Sequence, residues 1–292
     1  MTERHGAVLA HIGVMRIHRS RAALSAALPL LLLVACHRGR APVTAPPPAP
    51  TAGQPERESQ FLTGQGVVEA MHARYLGKWY TTMTFKQKTS RLIEKTGKWN
   101  VQTWYEAMKL PGRLRIDFDP VSAGNGVLYA RDSQFVVQNG RLLRGDPGIN
   151  PLLLLGFDVY TATVAHTTAR LRREGFDMAK VHETTFQGKP VIVVGAEKGD
   201  YNRKQFWIDK ERLLFVRMLE PTPRDTSKMQ DIRFVNYEPR GAAWLAPRVE
   251  IWSEGKLVFF EDYDDIKVNV DLDDALFQPK QWRSARHWTK NP

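Results

Sequence analysis

The feature that most constrains the fold is a repeated alternation of apolar and polar residues in short segments. The segment "GRLRIDFD", residues 112–119, has an apolar residue at every second position: Leu114, Ile116 and Phe118. A period of two is that of a β-strand with one buried face. Similar segments recur along the chain, and the pair Asn139-Gly140 between two of them is typical of a type I′ hairpin. The pattern predicts about ten or eleven strands in a mostly antiparallel sheet or barrel.

Two stretches depart from this alternation and predict helices. The first has apolar residues at helical spacing: Val67, Val68, Met71, Tyr75 and Leu76. The second follows Asn150 and Pro151, which are residue types that begin helices. We expect one or two helices there, over residues 151–156 and 158–174. The fold class is therefore mainly β with a few helices.

Cys36 is the only cysteine, and it follows the short apolar run Ala22–Val34 with arginines upstream. The run is too short for a spanning helix, which needs about 20 residues, but it fits a signal peptide. Leu33-Val34-Ala35-Cys36 matches the bacterial lipobox, in which the cysteine thiol is acylated before cleavage. We expect residues 1–35 to be a lipoprotein signal peptide and Cys36 to carry lipid. The mature chain then keeps no thiol, so no disulfide stabilises it.

The lipobox interpretation has two alternatives: a buried free thiol, and an ordinary signal peptide that holds a cysteine by chance. Met1 and Met15 are both possible start residues. A run rich in proline and alanine after Cys36 predicts an extended tether over residues 36–60. The expected folded domain spans residues 61–282, with a tail over 283–292. His37, where a retention signal would place aspartate, favours the outer membrane and its periplasmic face.

The charge and the motifs exclude several function classes. The net charge of +11 would suggest nucleic-acid binding in the cytosol, but in an exported lipoprotein it suggests anionic lipid or simply a basic surface. The histidines show no paired ligand spacing, and neither a nucleophile elbow nor a phosphate loop occurs. We therefore expect no metal, no cofactor, no nucleic acid and no enzymatic activity. A hydrolase that uses Asp117 or Asp209 is the weaker alternative, and the acidic run over residues 261–274 fits a solvated strand end.

Several predicted strands carry large apolar residues on both faces. Trp104 stands beside Tyr105, and Trp207 lies between Phe206 and Ile208. Either both faces of the sheet are covered, or a barrel holds an unfilled apolar cavity that the leucines of residues 152–155 could cap, or these residues simply fill a core. If a cavity binds acyl chains, the candidate wall residues are Trp79, Met83, Phe85, Leu114, Ile116, Phe118, Leu153, Phe206 and Ile208.

The order of elements resembles the LolA and LolB family of outer-membrane lipoprotein carriers and acceptors. Residues 62–280 share its helix, first run of strands, mid-chain helical break and second run of strands. Four segments are similar to passages of that family: "WYEAMKLPGRLRIDF", "GVLYARDSQFVVQNGRL", "FWIDKERLLFVRMLE" and "DLDDALFQP". The resemblance implies a half-open antiparallel barrel wrapped around a few helices, with a cavity for acyl chains.

The same resemblance implies carriage or acceptance of lipoproteins. The family's carriers have an arginine before the proline as part of a latch, where this chain has Leu110 before Pro111. Leu114 likewise stands where an aromatic residue is expected. The lipid anchor points instead to a membrane-bound acceptor, so we expect lipid acyl chains or lipoproteins as partners. The alternative is a periplasmic sensor or scaffold of the same fold that binds a protein partner in the envelope.

Overall fold

Helix α1 (Gly64–Tyr75) opens the part of the chain that the computed structural model describes, residues 61–223 and 225–289. The predicted signal peptide, Cys36 and the tether lie outside these residues. The side chain of Thr63 caps α1 by accepting a hydrogen bond from the backbone N–H of Gly66 at 3.1 Å. The predicted apolar spacing is confirmed, except that Leu76 follows the helix and is exposed. No helix of the described part is both long and apolar enough to cross a bilayer.

The alternating segments form fifteen strands in the described residues. They are β1 (Thr82–Ile93), β2 (Lys98–Lys109), β3 (Arg113–Phe118), β4 (Gly126–Ala130), β5 (Ser133–Gln138), β6 (Arg141–Pro147), β7 (Val181–Phe186), β8 (Lys189–Val194), β9 (Gln205–Asp209), β10 (Leu214–Pro221), β11 (Met229–Val235), β12 (Glu238–Arg240), β13 (Ala243–Leu245), β14 (Arg248–Ser253) and β15 (Lys256–Val268). The count exceeds ten or eleven in part because β12 and β13 have three residues each, too few to show a period. Asn139 and Gly140 both have positive φ, as a type I′ turn requires.

Thirteen strands form one antiparallel sheet in the order β6-β5-β4-β3-β2-β1-β15-β14-β11-β10-β9-β8-β7, and β12 pairs only with β13. The two edges, β6 and β7, do not pair with each other, so the sheet is not closed into a barrel. The connection between these edges holds α2 (Pro151–Gly156) and α3 (Val164–Arg173). The predicted helix over 158–174 is wrong as one element, because Thr163 begins a separate helix by capping it.

The inner face of the sheet is the face that packs against the three helices. One continuous apolar core joins helices and strands there. Trp79 stacks on Tyr160 with ring centroids 3.9 Å apart, and Tyr75 meets Tyr160 edge to face. The Tyr160 hydroxyl accepts a hydrogen bond from the backbone N–H of Phe215 at 3.2 Å. These contacts attach the helical connection to the second half of the sheet.

The C-terminal segment covers part of the outer face of strands β2 to β5. Four apolar residues of that segment pack on β2, β4 and β5: Leu272, Leu276, Phe277 and Trp282. The Arg115 guanidinium lies 3.9 Å from the centroid of the Trp282 ring. It also binds both carboxylate oxygens of Asp117, at 2.8 and 2.9 Å, in a fully buried pair. Where this segment packs on β2 to β5, both faces of the sheet are therefore covered.

The C-terminal segment should carry a measurable part of the stability. Trp282→Ala should lower the free energy of unfolding by about 3–5 kcal/mol, as truncation of a buried aromatic residue does. Leu142→Ala, at a 44% exposed position on edge strand β6, should change it by less than about 0.5 kcal/mol. Urea unfolding followed by tryptophan fluorescence and circular dichroism measures both. Equal effects of the two variants would contradict a stabilising role for the segment.

Candidate functional site

The candidate site is a small cavity between helix α2 and the inner face of the sheet. Its volume is about 40 Å³. Four of the nine predicted wall residues line it: Phe85, Leu114, Ile116 and Leu153. The other five do not line it but belong to the same inner core or pack against it: Trp79, Met83, Phe118, Phe206 and Ile208.

The rest of the wall comes from strands β2, β11 and β15 and from helix α2 with the residues that flank it. It consists of Trp104, Glu106, Met108, Asn150, Leu152, Phe157, Phe234, Glu261 and Tyr263. The alternation along β2 directs Trp104, Glu106 and Met108 to the same face. On β15 the same period directs Glu261 and Tyr263 inward. The register places Glu106 opposite Phe85 of β1, so both acidic residues reach the inner face next to that strand.

Helix α2 forms the cap of the cavity through Leu152 and Leu153. Asn150 begins the helix: its side-chain oxygen accepts hydrogen bonds from the backbone N–H groups of Leu152 at 2.9 Å and Leu153 at 3.2 Å. Pro151 occupies the first turn, where its missing N–H costs nothing. A six-residue helix is not stable alone. The position of the cap therefore depends on its packing against the core.

Two carboxyl groups lie in this apolar surrounding. Glu106 is 5% exposed and Glu261 is 9% exposed. Burial, together with the nearby Glu261 carboxyl, raises the pKa of Glu106 well above its usual value. Burial also raises the pKa of Glu261, to about 7. The Tyr263 hydroxyl donates a hydrogen bond to Glu261 Oε2 at 3.1 Å.

The polar groups at the cavity are incompletely satisfied. No hydrogen bond from the described residues offsets the burial of the Glu106 carboxyl. The indole Nε1–H of Trp104, which is 1% exposed, also has no acceptor in the described part of the chain. Buried polar groups nearly always have a partner. The cavity thus has polar groups available to a molecule that enters it.

Sequence reasoning missed both acidic residues. Glu261 was expected in a solvated acidic run, and that interpretation is wrong for it, although Asp264, Asp265 and Asp271 are exposed. The signal for Glu106 was present, because it stands between Trp104 and Met108 at a position where the alternation predicts an apolar residue. The sequence does not show which face of β2 is the inner face, so it does not identify Glu106 as a site residue.

The other carboxylates considered from the sequence are held by arginines. Asp117 is bound by Arg115, as described above. Asp209 accepts from Arg212 Nη2 at 2.8 Å and from Arg212 Nε at 3.2 Å. Arg115 and Asp117 both lie on β3, whereas Asp209 ends β9 and Arg212 lies in the turn that follows. Neither carboxylate lines the cavity. The described residues contain no group of three or more His, Cys, Asp or Glu side chains that could hold a metal ion.

The burial of Glu261 should make stability depend on pH. Its pKa in the folded state, about 7, lies above the ordinary value of 4.5. Folding therefore favours the protonated form, and this contribution is lost as pH rises from about 4.5 through about 7. Glu261→Gln should consequently raise the urea midpoint relative to wild type at about pH 8, with the difference shrinking towards about pH 5.

The matched control is Glu211→Gln, which changes an exposed glutamate. Burial also raises the pKa of Asp158 to about 7. Because wild type and both variants keep Asp158, its contribution cancels in the differences between their urea midpoints. A pH-independent difference between Glu261→Gln and wild type would contradict a buried titrating carboxyl.

Comparisons with known proteins found similar solved structures at low sequence identity. No family model matches the chain, and no curated protein matches it by sequence. A DUF1329 family protein from Desulfovibrio piger aligns at 16% identity and a TM-score of 0.48, over 74% of this chain and 95% of that one. A Vibrio parahaemolyticus domain assigned to outer membrane lipoprotein sorting aligns at 14% identity and 0.49, over 75% and 98%.

A LolA superfamily protein from Nitrosomonas europaea aligns at 13% identity and a TM-score of 0.44, over 75% of this chain and 98% of that one. The structural neighbours therefore include DUF1329 and LolA-superfamily proteins.

Proposed function

We propose that this chain is a non-catalytic bacterial lipoprotein that binds acyl chains of a lipid or of another lipoprotein. The inner face of the sheet would act as a half-open barrel around the chain. The observation that carries the proposal is the position of the cavity, which lies inside a continuous apolar core and under a short helix. Apolar surfaces of this kind bind apolar ligands because burial removes methylene groups from water.

The cavity has to enlarge before an acyl chain can enter. Its volume of about 40 Å³ compares with about 300–1,000 Å³ for a typical ligand site. Displacing Leu152 and Leu153 would open it, at a cost of about 1.5–3 kcal/mol for each leucine that becomes exposed. Burying about ten methylenes gains about 8 kcal/mol. The gain exceeds the cost, so binding coupled to displacement of α2 is physically reasonable.

Anchoring places this binding domain at the membrane. Cys36 would carry the lipid at the periplasmic face of the outer membrane, and the proline-rich tether would separate the domain from the bilayer. A fixed acceptor needs no latch for energy-driven release, and Leu110 occupies the latch position. Leu110 is buried in the inner core, where an arginine would require a partner.

A second candidate function is a scaffold that binds a protein partner in the envelope. The observation in its favour is that the inner core is nearly filled, whereas edge strand β6 exposes Leu142 and Leu143, the latter at 62%. Exposed strand edges pair with extended segments of other chains. A stoichiometric membrane partner that co-purifies without lipid would favour this function over the first.

The cap should control binding of an apolar probe. Leu153→Ala, which enlarges the cavity, should raise the affinity of the domain for phenylnaphthylamine by about threefold or more, because less packing is lost on opening. Leu155→Ala is the matched control, since it shortens a buried leucine of the same helix that does not line the cavity. Probe fluorescence measures the affinity. No binding to any variant, together with no lipid in native mass spectra, would contradict lipid binding.

Lipidation of Cys36 should determine where the protein is found. Cys36→Ser removes the thiol that forms the thioether, so the chain should stay unprocessed or become soluble. Membrane fractionation with an antibody against the domain, and metabolic labelling with a palmitate analogue, measure the change. A cleaved Cys36→Ser protein that still fractionates with the outer membrane would contradict the lipobox interpretation.

A further inference from the structure

Acidic groups are the only charged side chains among the described residues that line the cavity. Glu106 comes from β2 and Glu261 from β15, and the wall includes no lysine, arginine or histidine. This sign of charge is opposite to that of the whole chain, which has a net charge of +11. A carboxylate or phosphate that entered here would find no counterion and would face the carboxyl pair. An anionic head group is therefore disfavoured, because no cation of the wall stabilises it and each proton that the pair loses adds Coulomb repulsion.

Polar groups at the cavity are left without hydrogen-bond partners from the described residues. No hydrogen bond offsets the burial of the Glu106 carboxyl, and the indole N–H of Trp104, the preceding inward-facing residue of β2, has no acceptor among the described residues. Leaving such groups buried and unpartnered costs free energy. A single water fits a volume of about 40 Å³ and would satisfy part of this set. A ligand with a donor head group would replace that water.

Aromatic rings surround the two carboxyls. Five line the same cavity: Phe85, Trp104, Phe157, Phe234 and Tyr263. Phe85 and Tyr263 lie 4.4 Å apart between ring centroids. Ring faces attract cations, and in a desolvated setting the attraction reaches about 2 kcal/mol. The carboxyls and the aromatic rings therefore both favour a positively charged ligand.

We propose that Glu106 and Glu261 bind the ammonium head of a long-chain amine whose apolar tail lies along the inner face. The inference rests on the proposed apolar binding site and names the ligand class that the site selects. An ammonium group donates to both carboxyls and relieves their mutual repulsion. A neutral head group gains only hydrogen bonds, and a carboxylate is repelled once the pair has lost a proton, as it increasingly has by about pH 8. The expected order of affinity at equal chain length is amine, then alcohol, then carboxylate.

The order of affinity should depend on pH, because binding of an ammonium group displaces protons from the carboxyl pair. The groups that face the pair are Tyr263 from β15 and Tyr129 from β4, both neutral at physiological pH because burial raises their pKa values. At neutral pH the carboxyl pair retains protons, and an entering ammonium releases them to solvent. No covalent bond forms or breaks. Amine affinity should therefore rise with pH from about 6 to about 8, a range in which an alkylamine stays protonated.

The test is competition against bound phenylnaphthylamine by dodecylamine, dodecanol and dodecanoate at one ionic strength. In the wild type, dodecylamine should displace the probe at a concentration at least about tenfold lower than dodecanol, which corresponds to about 1.4 kcal/mol. The double variant E106Q/E261Q should lose this preference and keep dodecanol binding. Glutamine has nearly the same shape and adds no buried charge, so folding should be preserved. Glu211→Gln is the control at an exposed position.

The outcomes separate this inference from the proposed function. If dodecanol displaces the probe but dodecylamine is no better, the carboxyl pair does not select amines, and the apolar site stands. If dodecanoate binds best, or if the amine preference persists in E106Q/E261Q, the inference is overturned. If no compound displaces the probe and no probe binds, the proposed apolar site itself is wrong.

Discussion

The pairing of β1 with β15 is the interaction on which the rest of the structure depends. It joins the first strand of the sheet to the last, in antiparallel register from Met83 opposite Val268 to Arg91 opposite Phe259. Closing a chain segment of this length costs conformational entropy, and the ladder of hydrogen bonds along two long strands offsets it. Without this pairing, each half of the chain would form a smaller sheet with an additional exposed edge. The two halves would then share no inner face.

The same pairing creates the candidate site. β1 lies between β2 and β15, so that Glu106 on one side and Glu261 on the other both border its inner face. Neither half of the chain could build the cavity alone, since β2 and β3 belong to the first half and β11 and β15 to the second. A buried carboxyl pair is a costly feature in an apolar core. Its presence at the centre of the sheet suggests a role in selecting what the inner face binds.

Large residues on both faces of the strands have two different explanations in this fold. On strands β2 to β5, the C-terminal segment covers part of the outer face and buries the pair of Arg115 and Asp117. In the second half, arginines cover outer aromatic rings: Arg217 lies 4.4 Å from the Trp207 ring centroid, and Arg233 lies 4.7 Å from that of Trp252. Asp231 holds both arginines. Long arginine side chains thus shield apolar surface while their charges stay near water.

The sequence by itself determined most of the strands, the start of α2 and the faces of most strands. Period two identified Leu114 and Ile116 as one face of β3, and Asn150 with Pro151 marked the start of α2. These are local properties, because steric and hydrogen-bonding preferences act over a few residues. The edge strand β6 showed no period because neither of its faces is buried.

Tertiary structure decided which face is inner, which strands adjoin, and how much space the core leaves. The alternation along β2 predicts that Trp104, Glu106 and Met108 share a face. It does not predict that Glu261 lies across β1 from them. That proximity arises from pairing between residues far apart in the chain. The open edges of the sheet and the size of the cavity also depend on the tertiary structure. Strand order and packing volume result from contacts across the whole fold, so no local sequence pattern specifies them.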